Sequence, residues 1–311
     1  MIGIRALASY VPSGGISNFD RREEFGLSDE FITEKLGVER VSRMAAGEGT
    51  VSLCLRAFAV LQQKTAVTPD EIDLIVVCTQ NPDGGGLPHN SALVHGAIGV
   101  PEQCAAFDLG LGCSGYVYGL SVVKSFMEAN GLRHGLLFTA DPYSRIVDPA
   151  DRNTALLFGD AASVTLLSDG PGEPLWEPAR FLFATAGQQA DALRNRDGRL
   201  GMNGRAVFTF SATSVPTQVR ELMARHGVDS ASVDLFLFHQ GSKYIVDALA
   251  SRLGLPQDKV PCNLAAQGNT VSSSIPLLFE RYVSNPSLRR VLMCGFGVGL
   301  SWASCIVERR A

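Results

Sequence analysis

Short, continuous runs of apolar residues alternate along the chain with longer stretches whose apolar residues recur at helical spacing. The clearest runs are LIVV (74–77), LLFT (136–139), LFLF (235–238) and VLMC (291–294). Runs of this length are typical of strands that are buried on both faces of a sheet. Between these runs, apolar residues recur at helical spacing in residues 115–130 and 243–254. The pattern therefore predicts an α/β protein in which layers of helices cover a sheet.

The same order of segments occurs twice along the chain, and the two copies are roughly 160 residues apart. The matching segments are EIDLIVV (71–77) with SVDLFLF (232–238), AAFDLGLGCSG (105–115) with PCNLAAQGNTV (261–271), and LRHGLLFTAD (132–141) with LRRVLMCGFG (288–297). We predict two related halves, residues 1–170 and 171–311, packed against each other. The Gly-, Pro- and charge-rich residues 168–205 are predicted to form a connection and a surface loop. A chance likeness between α/β units is the alternative explanation, because the matching segments are short.

Composition excludes several classes of protein. Hydrophobic residues make up 46% and charged residues 19% of the chain, as expected for a packed globule. A formal net charge of -4 gives no general attraction to nucleic acid or to an anionic membrane. The opening residues read as a strand and loop rather than a signal peptide, and no apolar run approaches the roughly 20 residues that span a bilayer. The seven dispersed cysteines indicate reduced thiols in the cytoplasm, and no Cys or His cluster has metal-ligand spacing.

Cys113 has a different context from the other six cysteines. It follows a strand-like stretch that ends in glycines, and a helical pattern begins just after it. A thiol near a helix N-terminus meets the positive end of the helix dipole and unpaired backbone N–H groups, which favour the nucleophilic thiolate. Cys113 is therefore the candidate nucleophile, and another buried structural cysteine is the alternative.

Two further polar residues follow apolar segments in the second half. His239 comes directly after the run LFLF, at the end of a strand where open α/β sheets place their ligands. Asn269 lies in a Gly-Asn-Thr turn, at a point of the repeat that neighbours the position of Cys113. Taken alone, His239 could be a structural histidine and Asn269 an ordinary turn residue. The repeat favours their convergence with Cys113 in one cleft.

The segment GFGVGLSW (295–302) supplies glycines at 295, 297 and 299 after a predicted strand. Glycines let the backbone approach a ligand closely, and its N–H groups could form an oxyanion hole for a thioester carbonyl.

These motifs together resemble the β-ketoacyl-acyl-carrier-protein synthase III family of the thiolase superfamily. The resemblance runs over nearly the whole chain and includes GVERVSR (37–43), the cysteine loop, DPADRNTALLFGDAAS (148–163), HQGSKYIVDALASRLG (239–254), GNT (268–270) and GFGVGLSW. It implies a duplicated, thiolase-like α-β-α-β-α fold. It also implies an acyltransferase in which an acyl-CoA primer acylates Cys113, and His239 and Asn269 support decarboxylation of malonyl-carrier protein. Condensation of the two groups by a ping-pong route would follow. The backbone N–H groups of Cys113 and Val298 would form the oxyanion hole.

The resemblance also implies binding residues and partners. Substrate contacts are implied for Phe31, Lys35, Arg152, Leu87, Phe158 and Met202, and carrier-protein contacts for Lys243 and Arg252. The partners are acyl-CoA, an acidic acyl carrier protein and a second copy of the chain, and no cofactor is implied.

Several positions depart from the family pattern, and the family's His-Gln-Ala-Asn motif reads HQGS here (239–242). Phe31 stands where tryptophan is usual in the clamp that holds adenine against Arg152, so the stacking should be weaker. Tyr244 stands where a docking arginine is common. Leu87 replaces a bulky aromatic residue that often shapes the acyl pocket of the partner subunit.

Other functions remain open at this point. An enzyme of the same superfamily that hands its acyl group to a specialised acceptor would fit the altered positions. A thiol peptidase also uses Cys, His and Asn, but its cysteine signature is missing here. A non-catalytic partner subunit usually lacks a member of the triad, whereas all three residues are present.

Overall fold

The computed structural model describes residues 1–169 and 175–310. The strands are β1 Gly3–Tyr10, β2 Gly15–Ser17, β3 Arg40–Ser42, β4 Leu74–Cys78, β5 Ala105–Leu109, β6 His134–Ala140, β7 Ala162–Ser168, β8 Leu175–Thr185, β9 Leu193–Arg196, β10 Arg199–Met202, β11 Leu235–Phe238, β12 Arg290–Gly297 and β13 Ser301–Arg310. The α-helices are α1 Arg22–Phe25, α2 Thr50–Leu61, α3 Asn90–Ile98, α4 Gly115–Asn130, α5 Arg152–Ala155, α6 Gly204–Arg225, α7 Lys243–Leu253 and α8 Ser274–Glu280.

The strand order is mirrored about the middle of the main sheet. The order is β11-β12-β13-β8-β1-β7-β6-β4-β5, and β1 meets β8 through the single pair Ile4–Trp176. Outward from this junction, each side has two antiparallel pairings and then a parallel one. The first half adds a second parallel pairing, between β4 and β5, that has no counterpart in the second half. The repeat predicted from the sequence matches this mirror, since β4 corresponds to β11 and β6 to β12. The predicted boundary between the halves, at residues 170 and 171, lies outside the described residues.

Side-chain alternation along the strands separates three layers of helices. Leu74 and Val76 of β4 belong to a core that also contains α4 and α8, whereas Ile75 and Val77 belong to the core beneath α2 and α3. In the second half, Phe236 and Phe238 of β11 pack beneath α6 and α7. Successive residues of a strand face opposite sides, so one run serves two layers. This arrangement confirms the layered α-β-α-β-α fold.

The region between the halves differs from the prediction. Residues 168–205 were expected to be a connection and loop, yet β8 is a sheet strand within them, paired with β13 along its length. Pro178 and Arg180 interrupt its apolar pattern, so the sequence pattern did not predict a strand here. The hairpin of β9 and β10 follows it and reaches the functional site.

Candidate active site

Cys113 lies in the loop between β5 and α4, two residues before the helix begins. Only 3% of its surface is exposed. The backbone N–H groups of Val298 and of Cys113 itself form hydrogen bonds to the thiol sulfur. The two residues predicted to form an oxyanion hole thus direct their backbone donors at the candidate nucleophile.

The charge state of Cys113 differs from the expectation of a favoured thiolate. Burial raises the pKa of the thiol to about 12, and the nearby Asp141 raises it as well, whereas the hydrogen bonds from Val298 and Cys113 lower it. The sequence could show the helix start but not the depth of burial. At neutral pH the thiol is therefore protonated before substrate binds.

Alkylation of Cys113 by iodoacetamide is expected to accelerate with pH, because raising the pH converts the thiol to the reactive thiolate. With a pKa of about 12, the rate should increase about tenfold per pH unit between pH 7 and 9.5. Peptide mass spectrometry would follow the Cys113 peptide, with the Cys262 peptide as an internal reference. A plateau by pH 8 would contradict a strongly raised pKa.

Gly297 leaves no room for a side chain beside the nucleophile. A Cβ at this position would lie 2.7 Å from the Cys113 Sγ and 2.8 Å from its Cβ. The glycine at the end of β12 thus allows the backbone to lie directly against the thiol.

Gly297→Ala is expected to slow acylation of Cys113 by at least about tenfold, because the new methyl group must displace the sulfur. Acylation would be measured by the mass added from an acyl-CoA. Gly96→Ala is the matched control, since a Cβ at Gly96 meets nothing within 4 Å. Equal acylation rates in the two variants would contradict the close approach.

His239 follows β11 directly and is buried, with 3% of its surface exposed. Its Nδ1 lies 2.7 Å from the Ser274 Oγ, and its ring packs edge-on against Phe296 at 5.4 Å between ring centres. Burial lowers the pKa of His239 to about 3, although a hydrogen bond with the Val271 backbone raises it. The imidazole is therefore neutral at physiological pH.

Asn269 lies at the start of the segment that leads into α8, and its side-chain amide faces the histidine. The Asn269 Oδ1 accepts the backbone N–H of Val271 at 2.9 Å. This leaves Nδ2 3.4 Å from the His239 Nε2. Val271 itself has φ +53°, a left-handed conformation that is strained for a β-branched residue. The tight turn points the Asn269 amide towards the histidine.

One cavity of about 650 Å³ brings the three candidate catalytic residues together, since Cys113, His239 and Asn269 all line it. Phe158 and Met202 line it as well, and Phe158 forms an isolated bridge with Asn269. The convergence inferred from the repeat is thus present: the thiol comes from one half of the chain, and the imidazole and amide come from the other.

The wall and mouth of the cavity carry cations but no carboxylate. Lys35, Arg152 and Arg205 line it, and no Asp or Glu does so among the described residues. The Arg152 guanidinium lies 5.2 Å from the centre of the Phe31 ring, and the Lys35 ammonium lies 5.1 Å from that of Tyr244. Sequence reasoning missed Arg205, which follows the Asn203 that caps α6. The sequence gave no signal for it, because residues 168–205 were predicted to form a connection and surface loop, whereas Arg205 lies in the first turn of α6.

The remaining predicted site residues lie outside this cavity. Leu87 is 88% exposed. Lys243 pairs with Asp247 at 2.8 Å and with Glu34 at 3.4 Å, so two carboxylates already neutralise it. Arg252 lies near the end of α7, where its backbone carbonyl accepts a hydrogen bond from the Arg220 guanidinium.

Comparison with known proteins decides the family. The model described as 3-oxoacyl-[acyl-carrier-protein (ACP)] synthase III matches residues 107–187, and the model of its C-terminal part matches residues 223–309. The beta-ketoacyl-[acyl-carrier-protein] synthase III of Streptococcus mutans serotype c is 34% identical, with 98% of each chain covered. The chain belongs to the 3-oxoacyl-[acyl-carrier-protein] synthase III family. The resemblance stated from the motifs is confirmed, and so is the assignment as a condensing enzyme of the acyltransferase type.

Solved structures of synthase III proteins share this fold. The 2.1 Å crystal structure of a 3-oxoacyl-(acyl-carrier-protein) synthase III superposes with a TM-score of 0.93, at 33% identity and with 99% of each chain covered. The priming β-ketosynthase of the R1128 polyketide biosynthetic pathway gives a TM-score of 0.87 at 26% identity, covering 99% of this chain and 96% of that one. Within residues 1–169 and 175–310, no helix is both long and apolar enough to cross a membrane.

Proposed function

We propose that this synthase III family member transfers an acyl group from acyl-CoA to Cys113 and condenses it with the malonyl group of an acyl carrier protein. The observation that carries the proposal is the cavity shared by Cys113, His239 and Asn269. The Cys113 thiol can form a thioester with an acyl group, and His239 and Asn269 are neutral side chains that can donate hydrogen bonds.

Acyl transfer to the enzyme is the first step. The Cys113 sulfur attacks the thioester carbonyl, a new C–S bond forms, and the CoA sulfur leaves and takes up the proton that Cys113 releases. The tetrahedral oxyanion is stabilised by the backbone N–H groups of Cys113 and Val298, which already point at the sulfur.

Decarboxylation and condensation form the second stage. The bond between the malonyl α-carbon and its carboxylate breaks, carbon dioxide leaves, and the electron pair forms an enolate. Hydrogen bonds from His239 and Asn269 stabilise the enolate oxygen without a metal, and no cofactor is needed. The α-carbon then attacks the acyl group on Cys113, a C–C bond forms, the C–S bond to Cys113 breaks, and the thiolate that leaves takes up a proton from solvent.

The mouth of the cavity fits a phosphorylated donor. Both CoA and the prosthetic arm of a carrier protein carry phosphate, and Lys35, Arg152 and Arg205 form no ion pair among the described residues. Phe31 offers a face for the adenine beside Arg152. Lys243 and Arg252 remain the proposed contacts for the acidic carrier protein, and Lys243 would have to exchange its ion pairs with Glu34 and Asp247 for the carrier's carboxylates. The cytoplasm remains the proposed location.

Phe31→Trp is expected to lower the KM for acyl-CoA about threefold, because the larger indole stacks more strongly on adenine. Steady-state kinetics with the matching acyl-pantetheine, which lacks the nucleotide, provide the control. A parallel change for both donors would show that residue 31 does not contact the adenine.

A homodimer is part of the proposal. Strand β5 ends the main sheet, and all five of its residues are half-buried. Phe107 on this strand packs edge-on against Phe126, at 5.4 Å between ring centres. An open edge with aromatic residues favours pairing with a second copy, and the exposed Leu87 would then border the partner's acyl pocket. Light scattering on the purified protein would measure the mass in solution.

The test of the proposed function is an acyl-CoA panel with malonyl-carrier protein, followed by release of carbon dioxide and formation of the 3-oxoacyl product. At least one primer should give both products in equal amounts. Release of no carbon dioxide with any primer would contradict the carrier-protein condensation.

An acyltransferase of a specialised pathway is the second candidate. Tyr244, which is half-exposed, stacks on Phe208 at 4.9 Å between ring centres where a docking arginine is common in the family. The likeness to the R1128 priming β-ketosynthase shows that the fold also serves such a pathway. Acylation of Cys113 without condensation on malonyl-carrier protein would favour this candidate.

A further inference from the structure

A buried tyrosine stands behind the part of the cavity wall that lies beside Cys113. Tyr143 begins a short turn two residues after Asp141, and only 2% of its surface is exposed. Its ring packs on that of Phe158 at 5.0 Å between ring centres, and both residues belong to the same apolar core as Cys113. Phe158 lines the cavity, whereas Tyr143 is not among the described residues that do so. Tyr143 therefore forms a second layer behind Phe158.

The hydroxyl of Tyr143 lies close to the loop that carries the nucleophile. It donates to the Gln80 Oε1 at 2.9 Å. That oxygen lies against the residue before the nucleophile, since a Cβ at Gly112 would be only 2.4 Å from it. Burial raises the pKa of the Tyr143 hydroxyl well above its ordinary value, and the nearby Cys113 raises it further. The hydroxyl therefore keeps its proton at neutral pH and remains the donor to Gln80.

Backbone contacts with Asp141 fix both members of this pair. The backbone N–H of Gln80 donates to the Asp141 carboxylate at 2.7 Å, and that of Tyr143 donates to the Asp141 carbonyl at 2.8 Å. Asp141 is itself buried and accepts the Ser272 hydroxyl at 2.5 Å. The pair is thus held by a segment that is anchored to both halves of the chain, and the Tyr143 ring cannot move aside without losing its hydrogen bond to Gln80.

The pair also separates the cavity from a second surface of the protein. Gln80 is exposed, yet it is not among the described residues that line the cavity. The surface that Gln80 reaches is therefore distinct from the mouth of the cavity. Tyr143 and Gln80 stand between that surface and Phe158.

The path of the primer follows from the proposed function. With the nucleotide of acyl-CoA beside Lys35 and Arg152 at the mouth, the pantetheine arm fills the cavity as far as the thiol, and the acyl chain extends beyond Cys113. The backbone of Gly297 lies directly against the sulfur on one side, so the chain extends along the side that Phe158 lines. Protein interiors are close-packed, so added methylenes there must displace side chains.

We propose that Tyr143, held by Gln80, is the end wall of the acyl site and limits the primers of Cys113 to short acyl groups. The inference rests on the proposed function and names the class of its donor. Acetyl-, propionyl- and butanoyl-CoA are substrates, whereas octanoyl-CoA and longer thioesters are excluded. The longer chains would have to displace the packed rings of Phe158 and Tyr143.

The experiment measures the rate at which each acyl-CoA adds its mass to Cys113 in the full-length protein. In the wild type, octanoyl-CoA should acylate at least about tenfold more slowly than acetyl-CoA. Tyr143→Ala should raise the octanoyl rate by at least about tenfold, while the acetyl rate changes by less than about threefold. Tyr116→Ala is the matched control, because Tyr116 is equally buried but packs in a core outside the cavity. It should keep the wild-type order of rates.

Tyr143→Phe maintains the test if Tyr143→Ala does not fold. This variant keeps the ring but loses the hydrogen bond to Gln80. The ring is then free to shift, so the octanoyl rate should lie between those of the wild type and Tyr143→Ala.

Calorimetry with S-alkyl-CoA thioethers provides a second readout, because these analogues bind without reacting. S-propyl-CoA should bind the wild type at least about tenfold more tightly than S-octyl-CoA. Tyr143→Ala should remove that preference, and Tyr116→Ala should retain it.

The outcomes separate this inference from the proposed function. Equal rates with acetyl- and octanoyl-CoA in the wild type, an octanoyl rate that neither Tyr143 variant raises, or an equal rise in Tyr116→Ala would overturn the inference. Preferential binding of S-propyl-CoA without acylation of Cys113 by any thioester would overturn the proposed acyl transfer while the end wall stands. Binding of neither thioether would overturn both.

Discussion

Cys113→Ala is expected to abolish product formation with every acyl-CoA primer, because it removes the only thiol that lines the cavity among the described residues. Its β-carbon would remain against Gly297, so the cavity should keep its shape. Initial rates of 3-oxoacyl product formation would be compared at equal protein concentration, and circular dichroism would verify the fold.

The matched control for this variant is Cys294→Ala. Cys294 is equally buried, and burial raises its pKa to about 12 as well, but it lies on β12 outside the cavity. It should retain substantial activity despite some loss of stability from the smaller side chain. Comparable losses in the two variants would show that the damage is structural rather than chemical.

His239→Ala and Asn269→Ala are expected to separate the two stages of the reaction. Each removes one of two converging donors, and loss of a preorganised donor to an oxyanion costs on the order of 10²-fold in rate or more. Decarboxylation should therefore fall by that factor. Acylation of Cys113 should continue, because its oxyanion is held by backbone N–H groups rather than by these side chains.

Single-turnover measurements would follow the two stages independently: acyl mass on the protein for the first and carbon dioxide release for the second. The double variant should lose less than the product of the two single effects, because the two donors act on one oxygen. Equal loss of acylation in the His239 variant would instead assign the histidine to activation of the thiol.

The pH dependence of decarboxylation should reflect the low pKa of His239. Burial lowers that pKa to about 3, so the imidazole stays neutral throughout the range in which the protein would be assayed. Its charge state therefore contributes no change of rate between pH 6 and 8.

Much of the fold could be predicted because its elements are locally encoded. The buried runs that became β4, β6, β11 and β12 are continuous and apolar, and α4 and α7 end at glycines in the left-handed conformation. β8 was missed because Pro178 and Arg180 interrupt its pattern. Its place in the sheet depends on pairing with β13, which is distant in sequence.

The candidate site also has features that the sequence predicted and features that it could not predict. Cys113, His239 and Asn269 could be located because each follows an apolar run or a glycine turn, and the repeat placed them near one another. The raised pKa of Cys113 could not be predicted, since it depends on how deeply the packed loops bury the sulfur. Ser274 and Arg205 gave no local signal, because their contacts form only after the helices pack.

The most direct test of the account is peptide-level mass spectrometry after the protein has been incubated with short and medium acyl-CoAs. We expect one acyl mass per chain, located on the peptide that contains Cys113, and no adduct on Cys113→Ala. An acyl mass on any other cysteine, or an adduct that persists in Cys113→Ala, would contradict the assignment of Cys113 as the acyl carrier.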